Sequence, residues 1–117
     1  MIQGIHHIAI IVSSEECIRF YEKLGFVESF RKQRTQDTIV LMKGYGIELE
    51  IFIDSSHPNR ADKPENLGLR HLALKVDDLE TTVDKLGISI ESIQNDWIGI
   101  RFANTKDPDG NPIELHE

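Results

Sequence analysis

The chain has 117 residues, 39% hydrophobic and 28% charged, a composition that folds into one compact domain or into two half-size modules sharing a core. Thirteen basic against 20 acidic side chains give a net charge of −7, and with no basic stripe the surface repels a phosphate backbone, so nucleic acid is excluded as a partner. No run approaches the roughly 18 apolar residues of a membrane span, no basic n-region followed by an apolar stretch marks a signal peptide, and the single Cys17 cannot close an internal disulfide; a cytoplasmic protein is the expectation.

Taken in chain order, His7-Ile8-Ala9-Ile10-Ile11-Val12 reads as a strand. Ile8, Ile10 and Val12 share one face, and His7, Ala9 and Ile11 the other. Ser13 with Glu16 reads as a capping box opening a helix that carries Cys17, Phe20, Tyr21 and Leu24 and stops at Gly25. Val27–Phe30, Thr38–Met42 and Ile47–Ile53 are predicted strands, the last two joined by a turn at Tyr45-Gly46. Residues 54–66 are polar, hold Pro58 and Pro64, and read as a linker.

The sequence then repeats itself. His71-Leu72-Ala73-Leu74-Lys75-Val76 echoes the first strand at an offset of 64. Asp77 with Glu80 is the second capping box, and Leu79, Val83 and Leu86 form the apolar side of a helix ending at Gly87. Ile88–Ile93, Trp97–Ala103 and Pro112–His116 are predicted strands, with a turn at Asp107-Pro108-Asp109-Gly110. Ile47-Glu48-Leu49 recurs as Ile113-Glu114-Leu115 at an offset of 66, implying loops that differ by two residues. The fold expected is α+β: two tandem β-α-β-β-β modules forming a cupped mixed sheet with the helices on its outer face. Residues 1–117 then make one domain, with module one over about 4–53, the linker over about 54–66 and module two over about 67–117.

Parity selects candidate site residues. The apolar faces of the strands belong against the helices, which leaves His7, His71, Glu48 and Glu114 on the helix-free face, each histidine beside a small alanine. Two imidazoles and two carboxylates suit a divalent first-row ion. Four such donors on an octahedral ion leave two positions for water or substrate, whereas a structural zinc site would be closed and rich in sulfur. Glu50 and His116 share that face and are candidate substrate contacts. His6 points the other way and reads as structural, Cys17 as a core filler, and His57 as surface.

These motifs resemble the vicinal oxygen chelate superfamily, which includes glyoxalase I, fosfomycin and bleomycin resistance proteins, methylmalonyl-CoA epimerase and extradiol dioxygenases. The resemblance runs from about Ile5 to His116, and Asp107-Pro108-Asp109-Gly110-Asn111-Pro112-Ile113-Glu114-Leu115 matches the family's closing signature. The ligand order His7, Glu48, His71, Glu114 is similar to that of short bacterial glyoxalase I. That resemblance implies a divalent metal, nickel or cobalt before zinc, manganese or iron. It implies a lyase that isomerises a small thiohemiacetal through an enediolate, with Glu114 as first choice for the base and Glu48 as its counterpart. It also implies a small-molecule substrate and a homodimer, with the metal held within one chain or between two. Arg101 is the candidate for an anionic substrate group. The alternatives are another metal-dependent enzyme of the superfamily (a thiol transferase, epimerase or dioxygenase) or a metal-free module that binds a small molecule.

Overall fold

The computed structural model describes every residue from Met1 to Glu117. The chain divides into two units, Met1–Pro58 and Asn59–Glu117, each built as β-α-β-β-β. The first holds β1 (Ile8–Val12), α1 (Glu15–Lys23), β2 (Val27–Gln33), β3 (Thr38–Gly44) and β4 (Ile47–Ile53). The second holds β5 (Leu72–Lys75), α2 (Leu79–Leu86), β6 (Gln94–Asn95), β7 (Arg101–Lys106) and β8 (Pro112–His116). Each has its own four-stranded mixed sheet, ordered β1-β4-β3-β2 and β5-β8-β7-β6. In both, the first strand pairs in parallel with the last, and the other pairs are antiparallel. The class is α+β, as the repeat implies.

Alternation builds the first core. Val40 and Met42 of β3, Leu49 and Ile51 of β4 and Val12 of β1 are buried, as are Cys17, Ile18 and Tyr21 of α1. Each such aliphatic or aromatic side chain contributes roughly 1.5–3 kcal/mol by leaving water. Tyr21 meets Phe26 edge-on, Phe26 meets Tyr45 likewise, and the Tyr45 hydroxyl donates to the Leu24 carbonyl at the end of α1. Gly25 follows with φ 107°, where a side chain would be strained and would also strike that hydroxyl. The second core is smaller. Leu79, Ala103 and Leu115 are buried, and Leu74, Val76, Val83, Ile88, Ile90 and Ile93 pack against them.

Several boundaries differ from the sequence expectation. Both helices begin one residue later than the capping boxes imply. Ser14, not Ser13, is the N-cap of α1, and its side chain makes no cap hydrogen bond. Asp78, not Asp77, caps α2, and its carboxylate accepts from the Thr81 N–H. Residues 88–93 form no ladder. Isolated bonds hold that stretch: the Glu91 N–H donates to the Asn104 carbonyl, and the Thr105 hydroxyl to the Ser89 carbonyl. Its isoleucines serve the core without strand pairing, and only Gln94 and Asn95 pair with β7. Residues 97–100 are a turn, because the Asp96 carboxylate takes the N–H groups of Ile98 and Ile100 and so closes the hairpin.

Candidate functional site

In each module the sheet face turned away from its helix carries the histidine and glutamates. In module one, Ala9 stands level with Glu50 and Ile11 with Phe52 across the parallel β1/β4 pair. His7 immediately precedes β1, and its Nε2 lies 3.6 Å from Glu50 Oε1. In module two, Ala73 stands level with Glu114 and Lys75 with His116. His71 Nε2 lies 3.6 Å from Glu114 Oε1. The two arrangements are the same arrangement displaced by 64 residues.

The strand pairing distinguishes the two glutamates of β4. The strand pairing keeps the offset of 64 through the last strand, so the counterpart of Glu114 is Glu50 and not Glu48. Glu48 stands level with Lys43 of β3, and the residue matching it in module two is Pro112. The tripeptide match at an offset of 66 is local, produced by Leu49-Glu50-Ile51 following Ile47-Glu48-Leu49 in the same alternating strand. Glu48 and Glu50 share a face, as parity requires, but it is Glu50 that faces His7.

The donors fit a metal ion on distance. At 3.6 Å the two atoms of each pair are too far apart for a hydrogen bond. Two donors each bonded at about 2.1 Å, with an angle near 90–110°, are roughly 3.0–3.4 Å apart. Each gap is therefore close to what two adjacent ligands of one ion require. The second pair is the more enclosed: side-chain exposure is 29% and 15% for His71 and Glu114, against 40% and 28% for His7 and Glu50.

Other side chains complete the two faces. His116 stacks on Phe102, and its ring nitrogens meet the Glu117 carbonyl at 2.9 Å and Asp96 Oδ2 at 3.0 Å. Those acceptors, the Glu117 carbonyl first, raise its pKa above the ordinary imidazole value. Asn104 of β7 stands directly across from Glu114. In module one the Arg34 guanidinium lies over the Phe52 ring, 5.7 Å from its centre, and forks onto the Asp37 carboxylate with both bonds at 2.7 Å. Sequence reasoning passed over Asn104, Phe102 and Asp96, and left Arg34 without a role. Strand parity from Glu114 would have found the first two. Arg34 and Asp96 sit in hairpins, where no periodicity announces them.

Arg101 does not belong to this face. It shares its parity with the buried Ala103, so its side chain runs to the helix side, where it binds Glu117 and Glu80. Phe102, not Arg101, is the β7 residue beside His116. Asp78, Glu80 and Glu117 bring carboxylate oxygens within 4.8 Å of one another, but Arg101 neutralises two of them, and the N–H groups of Leu79 and Thr81 occupy Glu117 and Asp78. Their chemistry is that of a helix start. His6 is not idle: its Nδ1 lies 2.9 Å from His7 Nδ1, with the rings edge to face. Cys17 is fully buried, and His57 is half-exposed beside Asp54.

Residues 4–115 match the sequence profile of the Glyoxalase/Bleomycin resistance protein/Dioxygenase superfamily, and the chain belongs to that family. It is 40% identical to the uncharacterized protein YwkD of Bacillus subtilis, over 100% of this chain and 98% of that one. Among solved structures, the glyoxalase family protein from Enterococcus faecalis is 39% identical with a TM-score of 0.88, covering 98% of each chain. SMU.1112c is 37% identical with a TM-score of 0.89, covering 100% of each.

Proposed function

We propose that the protein is a divalent-metal-dependent lyase or isomerase of the glyoxalase type, acting on a small thiohemiacetal or a related substrate with two neighbouring oxygens. One observation carries this reading: each module holds a histidine nitrogen and a glutamate oxygen at the same 3.6 Å, close to the spacing of two adjacent metal ligands. The proposed ligands are His7, Glu50, His71 and Glu114, with Glu50 taking the place that the sequence assigned to Glu48. Each pair offers an ion one imidazole and one carboxylate, and the glutamate balances part of a 2+ charge. The ion, nickel or cobalt before zinc, manganese or iron, would supply Lewis acidity next to the carbon that loses its proton.

The chain's own residues do the rest. His7 and His71 are fixed donors. Glu114 is the proposed base, removing a proton from carbon beside a carbonyl and returning it to the adjacent carbon. Its carboxylate is the less exposed of the two and so the better shielded from competing water. Glu50 is the proposed counterpart for a substrate of opposite hand. His116 on Phe102 and the Nη1 edge of Arg34 are the proposed polar contacts for the rest of the substrate, in place of Arg101. A homodimer is carried as part of this proposal.

The test is thioester formation from methylglyoxal and a thiol by protein loaded with nickel or cobalt. Glu114→Gln should lower turnover by about 10²–10⁴-fold with an unchanged circular dichroism spectrum. Wild-type-like turnover by that variant would remove Glu114 as the base. A metal-loaded protein inert towards every thiohemiacetal tried would leave thiol transfer or epimerisation on the same ligands as the next assays.

A further inference from the structure

We infer that His6 is a positioning residue for His7: the bond between their two Nδ1 atoms fixes which nitrogen of His7 carries the proton and so presents its Nε2 lone pair toward Glu50. The inference rests on the metal reading for its use, but not for its geometry.

The chemistry at these atoms is restrictive. A hydrogen bond between two imidazole nitrogens needs a proton on one and a lone pair on the other. His6 Nδ1 and His7 Nδ1 are 2.9 Å apart, a full hydrogen bond. The other nitrogen of His7, Nε2, is the one that faces Glu50 Oε1 at 3.6 Å. For Nε2 to serve a cation it must be unprotonated, and the assignment that meets this puts the proton of His7 on Nδ1, donated to His6, and the lone pair on Nε2. A nitrogen lone pair then faces a carboxylate, two electron-rich groups that a cation between them would reconcile. His6 in turn accepts at Nδ1 and carries its own proton at Nε2. The two rings meet edge to face, 5.1 Å between centres.

This device is not part of the internal repeat. The residue before His71 is Arg70, and its guanidinium turns to Glu65, with bonds of 2.9 and 3.0 Å. The more exposed pair, His7 with Glu50, is therefore the one given a second histidine as support. A partner that fixes a ligand's tautomer and ring orientation is worth about 10–100-fold in metal affinity. The chain also explains why parity missed this. His6 and His7 precede β1, where the backbone is not yet in the ladder and neighbouring side chains are free to turn toward each other.

The experiment has two readouts on the full chain. Long-range proton–nitrogen spectra of the metal-free protein, at about pH 8 where an unperturbed imidazole is neutral, report which nitrogen of His7 carries the proton. The expected result is Nδ1–H in the wild type, loss of that tautomer as the main species in His6→Phe, and its retention in His6→Gln, whose amide oxygen can accept the same proton. Cobalt(II) titration is the second readout. Affinity should fall about 10–100-fold in His6→Phe and recover in His6→Gln. An Nε2–H tautomer for His7 in the wild type, or cobalt affinity in His6→Phe equal to wild type, would overturn the inference. If the wild type takes up no cobalt, the metal reading fails by itself, and the tautomer spectrum still decides whether His6 holds His7.

Discussion

Glu50 and Glu48 are two residues apart on one strand face, and only register separates them. Parity alone leaves both available, and the repeated Ile-Glu-Leu tripeptide favours the wrong one as the structural counterpart of Glu114. The pairing of Ala9 with Glu50 and of Ala73 with Glu114 decides the matter, because it fixes how far along the strand each carboxylate lies from its histidine. The consequence is measurable. With Glu50 as the proposed ligand, Glu50→Gln should weaken cobalt or nickel binding by at least about tenfold, whereas Glu48→Gln should leave it within about twofold. Equal losses in the two variants, read by competition with a chelator of known affinity, would return Glu48 to the site. That His7, His71 and Glu114 share the sheet face turned from the helices was legible from the sequence, because the repeat displays the pattern twice on a face that alternation defines. Arg101 was singled out for its charge within the predicted Trp97–Ala103 strand, not by its face: it has the parity of the buried Ala103, and the ladder starts at Arg101 because the Asp96 turn takes up residues 97–100.

The helices and strands were legible where pattern and chemistry agree. Ile47–Ile53 and Pro112–His116 have the predicted ends, because turn residues bound them. Residues 88–93 alternate equally well and still form no strand; their isoleucines serve the core of module two, and only isolated bonds join the stretch to β7. The two helix starts give a graded prediction. Asp78→Ala should cost about 1 kcal/mol in thermal or urea unfolding, since its carboxylate holds the Thr81 N–H, while Ser14→Ala should cost little, since its hydroxyl caps nothing. A larger loss at Ser14 than at Asp78 would contradict the observed caps. The start of α2 also sets a pH response. Arg101, and after it the Leu79 N–H, hold the Glu117 carboxyl at about 2, below its ordinary 4.5. A depressed carboxyl contributes stability that is complete above the unfolded value and is lost as pH falls through the folded one. Stability should therefore decline between about pH 4.5 and pH 2, and Arg101→Gln should both lower the melting temperature at neutral pH and flatten that decline. An unchanged slope in the variant would show that Arg101 is not the cause.

At the scale of the whole chain, the internal repeat is the most informative feature, and it extends further than the sequence motifs that reveal it. An offset of 64 relates the histidines, the alanines beside them and the glutamates that face them. Duplication explains why a chain of 117 residues presents two equivalent donor pairs. The supports around them have diverged: His6 and Arg34 in module one, Asp96, Phe102 and His116 in module two. Such departures from the repeat are invisible to a search for it, which is why the donors were legible and their surroundings were not. Membership in the superfamily follows from the match over residues 4–115, while the reaction depends on what those donors hold.

The proposed divalent ion at the His7–Glu50 and His71–Glu114 pairs is tested by metal content, measured by plasma mass spectrometry on protein prepared without chelator or histidine tag. Bound nickel, cobalt, zinc, manganese or iron is expected, with metal content lowered in His71→Ala and in Glu50→Gln. Metal-free protein that takes up none of these ions at neutral pH, or variants that retain the wild-type content, would contradict the claim and favour a cup that binds its small molecule without metal.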